Sequence, residues 1–306
     1  MYDLAIIGAG PAGLSASVYA SRYGIKNLII GETGGLVAKT HEVGNWLGTE
    51  KISGWEFAQK SAEHAKSFGA EIIPALVDQI EKNDDKFFLY LNNGEKIQAR
   101  FVLLATGTKQ KKLGIPGENE FFGKGVSYCA TCDGFFYKNK VVAVVGGNDS
   151  AAGTAAYLSD IAEKVYIIYR GEKVRAEKFW LNLLEKNPKI EVITGTNIKE
   201  IKGNQKVEKV ILDNPYQGAE ELVLDGVFVE IGFDPRLKLV EDLGVETDEE
   251  GYIRIEADGK TSIREIWAAG DATTGSNKFK QIVTAASEGA IAASSIQKYL
   301  KNNPHI

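Results

Sequence analysis

The chain has 306 residues, 44% apolar and 25% charged, with a formal net charge of −5. That length accommodates two ordinary domains, the composition is that of a globular protein, and the negative charge gives no bulk support for a nucleic-acid or anionic-membrane partner. The start "MYDLAIIGAG" lacks the basic region of a signal peptide, and no apolar run reaches the ~20 residues of a membrane span, so the expected compartment is the cytoplasm.

Residues 3–8, "DLAIIG", form a continuous apolar run ending in glycine, the pattern of a buried parallel strand. "PAGLSASVYASRYG" (11–24) opens with proline at a helix start and closes with glycine. "KNLIIG" (26–31) is a second buried strand, so the chain begins with a βαβ unit. Its junction carries Gly8, Gly10 and Gly13 as GxGxxG. The first glycine permits the turn, the second lets backbone approach a pyrophosphate, and the third packs helix on strand. Glu32 follows the second strand, at a distance suited to a ribose. "FVLLATG" (101–107) is a later closing strand, and "LGIPGE" supplies a glycine–proline boundary just after Lys112.

"YCATCDG" (128–134) holds both cysteines, Cys129 and Cys132. In a reducing compartment such a pair is redox-active or metal-binding rather than structural. Structural zinc wants four ligands, and two cysteines with scattered His41, His64 and His305 fall short without a second chain or carboxylates. No metal is therefore expected. Two buried, unreactive thiols are the other alternative. The spacing favours a reversible disulfide, in which a local positive field lowers one thiol's pKa. Asp133 is then the candidate acid/base.

The opening pattern recurs in "VVAVVGG" (141–147), "DSAAGTAAYLSDIA" (149–162) and "KVYIIYR" (164–170), closed by "GVFVEIG" (226–232). This predicts an internal duplication of a dinucleotide-type domain. The second turn reads "GGNDSA": Gly146 and Gly147, then Asn148 where the motif has glycine, then Asp149, Ser150 and Ala151. Asparagine tolerates left-handed backbone, but its side chain crowds a phosphate. Arg170 and Arg175 suit a 2′-phosphate and hence NADPH; two solvated surface arginines are the alternative. "TSIREIWAAGDATT" and "KQIVTAASEGAIAASSIQKYL" hold no third unit and are expected to complete the first domain. The expected division is 1–113 with 238–306, and an inserted domain at 114–237, joined by two crossings that can act as a hinge.

Nearly end to end, the chain resembles the low-molecular-weight bacterial and archaeal thioredoxin reductases. The resemblance rests on "GAGPAG" (8–13), "GG" (34–35) with "EVGNWLG" (42–48), "ATGT" (105–108), "IPGE" (115–118), "GKGVSYCATCDGFFY" (123–137), "AAGDA" (268–272) and "KQIVTAASEGAIAA" (280–293). It implies an α/β fold of two Rossmann-like, three-layer dinucleotide-binding domains, the second inserted in the first. FAD would bind the first and NADPH or NADH the second. The implied FAD contacts are Gly8, Gly10, Pro11, Ala12, Gly13, Glu32, Gly35, Leu36, Asn45, Val77, Thr106, Gly107, Gly270, Asp271, Gln281 and Ile282. The implied nicotinamide-dinucleotide contacts are Gly146, Asn148, Asp149, Ser150, Ala151, Arg170 and Arg175. By the same resemblance Cys132 faces the flavin, Cys129 attacks the disulfide of thioredoxin or a thioredoxin-like protein, and Asp133 donates the proton. Rotation of the inserted domain alternates these contacts, and a homodimer forms through the FAD domains.

Several positions depart from that pattern. Gly153 and Thr154 stand for the usual glutamate pair, Tyr169 for histidine, Gly171 for a second arginine, Leu36 for glutamine and Leu47 for proline. The electron donor is therefore open between NADPH, NADH and reduced ferredoxin, with NADPH ahead on its two arginines. A flavin redox sensor without turnover is the alternative that the degenerate second turn leaves room for.

Overall fold

Two sheets built around parallel strands organise the computed structural model, which describes residues 1–40, 42–83, 86–235 and 238–303. The chain divides into two units, Met1–Lys109 with Asp234–Ile306, and Gln110–Phe233. His41 and His305, noted above as possible metal ligands, lie outside the described residues, as does residue 237 at the expected domain boundary.

The first unit begins with β1 (Tyr2–Ile7), α1 (Pro11–Arg22) and β2 (Asn27–Ile30), followed by α2 (Gly54–Ser67) and β3 (Glu71–Ile73). The strands β4 (Val77–Asn83), β5 (Lys86–Leu91) and β6 (Lys96–Leu104) form an antiparallel meander that alternation alone did not mark out. Three of these strands, β1, β2 and β3, pair in parallel, and β6 joins the other edge of β1. The strand β6 starts earlier than its apolar run because its edge away from β1 serves two further partners. Its first half pairs antiparallel with β5 and its last three residues pair in parallel with a strand from the chain's C-terminal part. The chain leaves this unit through β7 (Thr108–Gln110).

The second unit holds β8 (Val126–Ser127), the short α3 (Ala130–Asp133), β9 (Val141–Val145), α4 (Asp149–Ser159), β10 (Lys164–Tyr169), α5 (Lys178–Lys186) and β11 (Ile190–Thr194). An antiparallel group follows, β12 (Ile198–Gly203), β13 (Val207–Tyr216) and β14 (Ala219–Val223), and then β15 (Gly226–Val229). The main sheet is parallel throughout, in the order β11-β10-β9-β15-β8. The helix α4 stops at Ser159, short of the expected end, because Ile161 and Ala162 both turn back to bond Leu158 O.

The chain returns to the first unit through β16 (Phe233–Pro235), α6 (Lys238–Asp242), β17 (Ile266–Ala268) and α7 (Ile282–Asn302). It is β17 that pairs with the end of β6. Alanines of α1 and α7 face each other so closely that a Cβ on Gly289 would stand 2.0 Å from Ala12 O. Trp267, 1% exposed, donates its indole N–H to Ser295 at 3.0 Å, and Ser295 donates to Asp258 at 2.8 Å. Among the described residues no helix is long and apolar enough to cross a membrane.

Candidate active site

In the first unit the site begins at the end of β1. Gly8 has φ +116°, and a Cβ there would meet Ala105 O at 2.1 Å. A Cβ on Gly13 would meet Gly8 O at 1.9 Å. These two glycines therefore press α1 onto the strand ends, leaving no room for a side chain. Gly10 differs: a Cβ there meets nothing within 4 Å, and as the N-cap of α1 it offers no side-chain cap. Pro11 carries no N–H, so the first donors of α1 are the backbone N–H groups of Ala12 and Gly13, which no side chain caps, beside the open space at Gly10, the arrangement that receives an anion. Gly35 stands against this turn, its Cβ position 3.7 Å from Gly10 Cα. Leu36 beside it is partly buried and opens a one-turn helix at Val37–Lys39.

Of the other expected residues, Gly270 and Thr106 meet this turn from far along the chain. Gly270 lies against Ala12, at 2.8 Å from its built Cβ to Ala12 Cβ. Thr106, next to the Ala105 carbonyl, has a buried hydroxyl with no hydrogen-bond partner among the described residues. Gly107 follows with φ +61° and open space around it. Asn45 donates its amide N–H to Gln281 Oε1 at 2.9 Å, at the N-terminus of α7, where Ile282 is the first helical residue. Glu32 is exposed at the end of β2. Val77 opens β4, the edge strand of the same sheet, paired with Leu91.

Asp271 is pushed up to about 6 by burial, with Lys280 opposing that shift and Glu288 adding to it. Glu288 escaped sequence reasoning. It accepts from Gly270 N–H at 2.8 Å and from the Thr273 hydroxyl at 2.9 Å, fixing the "AAGDA" turn. Its signal was available, since it is the one acid in α7 and stands among small residues.

In the second unit Cys129 and Cys132 form a disulfide, Cα–Cα 5.3 Å. Cys129 is the N-cap of α3 and its Sγ accepts from Cys132 N–H at 3.2 Å. Cys132 is exposed and Cys129 partly covered. Asp133 accepts from the Ser127 hydroxyl at 2.6 Å, and the same hydroxyl oxygen accepts from Cys129 N–H at 3.0 Å. Ser127, 2% exposed, was not singled out from the sequence, yet it ties the acid to the cysteine backbone. Tyr128 is clamped at both ends. Its carbonyl accepts from Gln110 at 2.6 Å, and its hydroxyl donates to Glu118, which also accepts from Leu113 and Gly114 N–H at 2.7 Å each. Phe135 and Phe136, just after the disulfide, are 75% and 71% exposed.

The second glycine turn is built differently from the first. Gly146 has φ +151° and abuts Glu230 O. Asn148 turns its side chain inward and accepts from Ala151 N–H at 2.9 Å, capping α4. One of the amides that is free in α1 is therefore already taken in α4. Asp149 accepts from Glu177 N–H at 2.6 Å, and Ser150 is exposed. Tyr169 lies over the turn, because Cβ atoms on Gly147 and Gly171 would come within 2.5 and 2.6 Å of its ring. The Arg175 guanidinium stacks on that ring at 5.8 Å, while Arg170 is exposed and makes no ion pair among the described residues. Those residues also hold no group of three or more side chains suited to a metal ion.

The comparisons agree with this construction. The family described as pyridine nucleotide-disulphide oxidoreductase matches residues 2–289. The thioredoxin reductase of Bacillus subtilis (strain 168) is 44% identical over 306 residues, spanning 98% of this chain and 95% of the relative. Among solved structures, the thioredoxin reductase of Lactococcus lactis (FR conformation) matches with a TM-score of 0.93 at 37% identity, covering 99% of this chain and 100% of that chain. That of T. acidophilum gives 0.91 at 37% identity, covering 97% and 98%. The chain belongs to the pyridine nucleotide-disulphide oxidoreductase family, and within it to the thioredoxin reductases. Membership implies FAD and a nicotinamide cofactor.

Proposed function

We propose that this chain reduces the disulfide of thioredoxin or a thioredoxin-like protein, drawing electrons from NADPH through FAD and the Cys129–Cys132 pair. The observation that carries this reading is the closed Cys129–Cys132 bridge with Asp133 and Ser127 hydrogen-bonded beside it. The exposed Phe135–Phe136 pair next to the bridge supports a protein partner over a small disulfide, since paired exposed aromatics favour apolar docking.

The first unit fits FAD. The uncapped start of α1 at Gly10 suits the pyrophosphate, the orphaned Thr106 hydroxyl awaits a partner, and Glu32 stands free for a ribose. Gly35, Leu36, Gly107, Gly270 and Asp271 would border the dinucleotide, Val77 its adenine, and Asn45, Gln281 and Ile282 the ring system. When bound, FAD supplies the two-electron exchange between the nicotinamide and the bridge. In the second unit, Gly146 and the amides of Asp149, Ser150 and Ala151 would receive the nicotinamide dinucleotide once Asn148 releases Ala151 N–H. Arg170 and Arg175 favour its 2′-phosphate.

With the bridge reduced, the Cys129 thiolate attacks one sulfur of the partner's disulfide. That bond breaks and one partner thiolate leaves, protonated by Asp133. The Cys132 thiolate then attacks Cys129 Sγ, which restores the bridge and frees the second partner thiolate. The Cys132 N–H pointing at Cys129 Sγ supports Cys129 as nucleophile, because it stabilises negative charge on that sulfur. The cytoplasm, where thiols are kept reduced, suits this chemistry.

The test is anaerobic. NADPH, NADH and reduced ferredoxin are each added to the flavin-loaded protein and flavin bleaching is followed, then thioredoxin is supplied. Bleaching by NADPH with stoichiometric thioredoxin reduction is the expected result. Bleaching by ferredoxin alone would move the donor assignment, and bleaching without thioredoxin reduction would overturn the function.

A further inference from the structure

Glu230 is an acid in the second unit that the chemistry above leaves without a task. It follows β15 directly, at the carboxyl edge of the five-stranded sheet. Its N–H donates to Val145 O at 2.8 Å, and Gly146 packs against its carbonyl. Its Oε1 accepts from the Thr154 hydroxyl of α4 at 3.1 Å. The carboxyl therefore sits between the end of β15 and the second turn of α4, beside the turn that follows β9.

That position has a meaning in the strand order β11-β10-β9-β15-β8. The chain runs from β9 outward to β10 and β11 on one side, and β15 lies on the other, so the order reverses between β9 and β15. A dinucleotide spans the crevice outside such a reversal, with its pyrophosphate at the intervening helix N-terminus. The residues after the second strand of the unit read the adenosine ribose; here these are Arg170 and its neighbours after β10. The other half of a bound dinucleotide would then reach toward β15, where Glu230 stands.

We propose that the Glu230 carboxylate, held by Thr154, is a specificity-determining group that contacts the nicotinamide half of the dinucleotide and favours its oxidised, cationic ring over the reduced, neutral one. The proposal rests on the reading that a nicotinamide dinucleotide binds this unit. Its physical basis is plain: the ring gains a positive charge when it gives up hydride, and an anion in a partly buried crevice attracts that charge. Placed there, Glu230 helps draw hydride out of the donor.

Burial pushes Glu230 up to about 7, with the Thr154 hydrogen bond opposing. Neighbouring titratable groups are engaged elsewhere. On α4, Asp149 accepts from Glu177 N–H; beyond β8, Asp133 accepts from Ser127 and Tyr128 donates to Glu118; the end of β9 is uncharged. No charged side chain contributes to the Glu230 shift. Glu230 is then ionised above about 7 and neutral below it.

The test is equilibrium binding to the flavin-loaded protein across pH. The ligands are NADP⁺ and the tetrahydro form of NADPH, whose ring is neutral and cannot give up hydride. Both carry the 2′-phosphate, so its own titration cancels in the ratio of affinities. In the wild type, preference for the cationic ring should rise about tenfold, the scale of one charge-assisted contact, as pH passes through neutrality. Glu230→Gln should hold the ratio low and flat. Thr154→Val, which keeps the carboxyl but removes the bond that favours its charged form, should move the transition to higher pH. If both ligands bind but Glu230→Gln leaves the ratio and its pH dependence unchanged, the role of Glu230 is refuted while the donor reading stands. If neither ligand binds the wild type, both readings fall.

Discussion

Cys129, Cys132, Asp133 and Ser127 act within one short stretch, so single substitutions separate their roles. Cys132→Ser should leave FAD bound and reducible by NADPH yet stop electron transfer to thioredoxin, as read by flavin bleaching without thioredoxin turnover. Cys129→Ser should stop turnover as well; near-normal activity in either variant would contradict the assigned chemistry. Ser127→Ala removes the hydrogen bond donated to Asp133. A bond to a charged group is worth about 1.5–3 kcal/mol, so kcat should fall roughly tenfold or more with little change in KM for thioredoxin. Ser127→Thr should restore most of it. In the second turn, Asn148→Gly frees Ala151 N–H at a capping cost of only a few tenths of a kcal/mol. It should tighten NADPH binding, whereas Arg170→Ala should raise KM for NADPH about tenfold or more and leave that for NADH nearly unchanged.

At the level of elements, the contact between α1 and α7 decides how firmly the first glycine turn is held. Gly289 lets the two backbones meet, since its Cβ would stand 2.0 Å from Ala12 O. Gly289→Ala gains up to about 1 kcal/mol in helix propensity but forces the helices apart, and overpacking of this kind costs about 1–3 kcal/mol. The second effect should win. The urea midpoint should drop with an unchanged slope, and FAD should be lost more readily because Ala12 belongs to the turn itself. An unchanged midpoint would mean that α7 shifts freely.

For the whole molecule, Glu230 and Asp271 set a pH dependence. Both are raised by burial, to about 7 and about 6. The folded chain keeps protons there that the unfolded chain releases near the ordinary carboxylate range, so stability declines as pH rises from that range through these values. Each unit of displacement is worth about 1.4 kcal/mol. Glu230→Gln should therefore raise the melting temperature at pH 8 and leave it almost unchanged at pH 4; the opposite trend would show that the carboxylate is stabilised when ionised. Assembly is a second whole-molecule expectation. Exposed apolar side chains on the first unit, among them Tyr19, Trp55, Phe68 and Ile291, suit a two-fold contact between copies. Light scattering at micromolar protein should give twice the mass of one chain, and a single-chain mass would refute the dimer.

Features that depend on neighbours in the chain are legible in the sequence. Apolar runs ending in glycine marked β1 and β9, GxGxxG marked the start of α1, and the spacing of Cys129 and Cys132 allowed a bridge one helical turn long. Each is local, so residue order alone determines it. The rest waited on packing between residues far apart. Only the folded chain brings Glu288 to Gly270 N–H and Gln281 to Asn45, and only it places Tyr169 in the gaps left by Gly147 and Gly171. In the sequence Asn148 reads as an obstacle to phosphate, while in the fold its side chain is a helix cap, because the N–H of Ala151 at the start of α4 lies within its reach. Glu230 reads in sequence as one more strand residue. Its burial at the reversal of strand order, which no local pattern encodes, is what gives it a charge to lose near neutral pH.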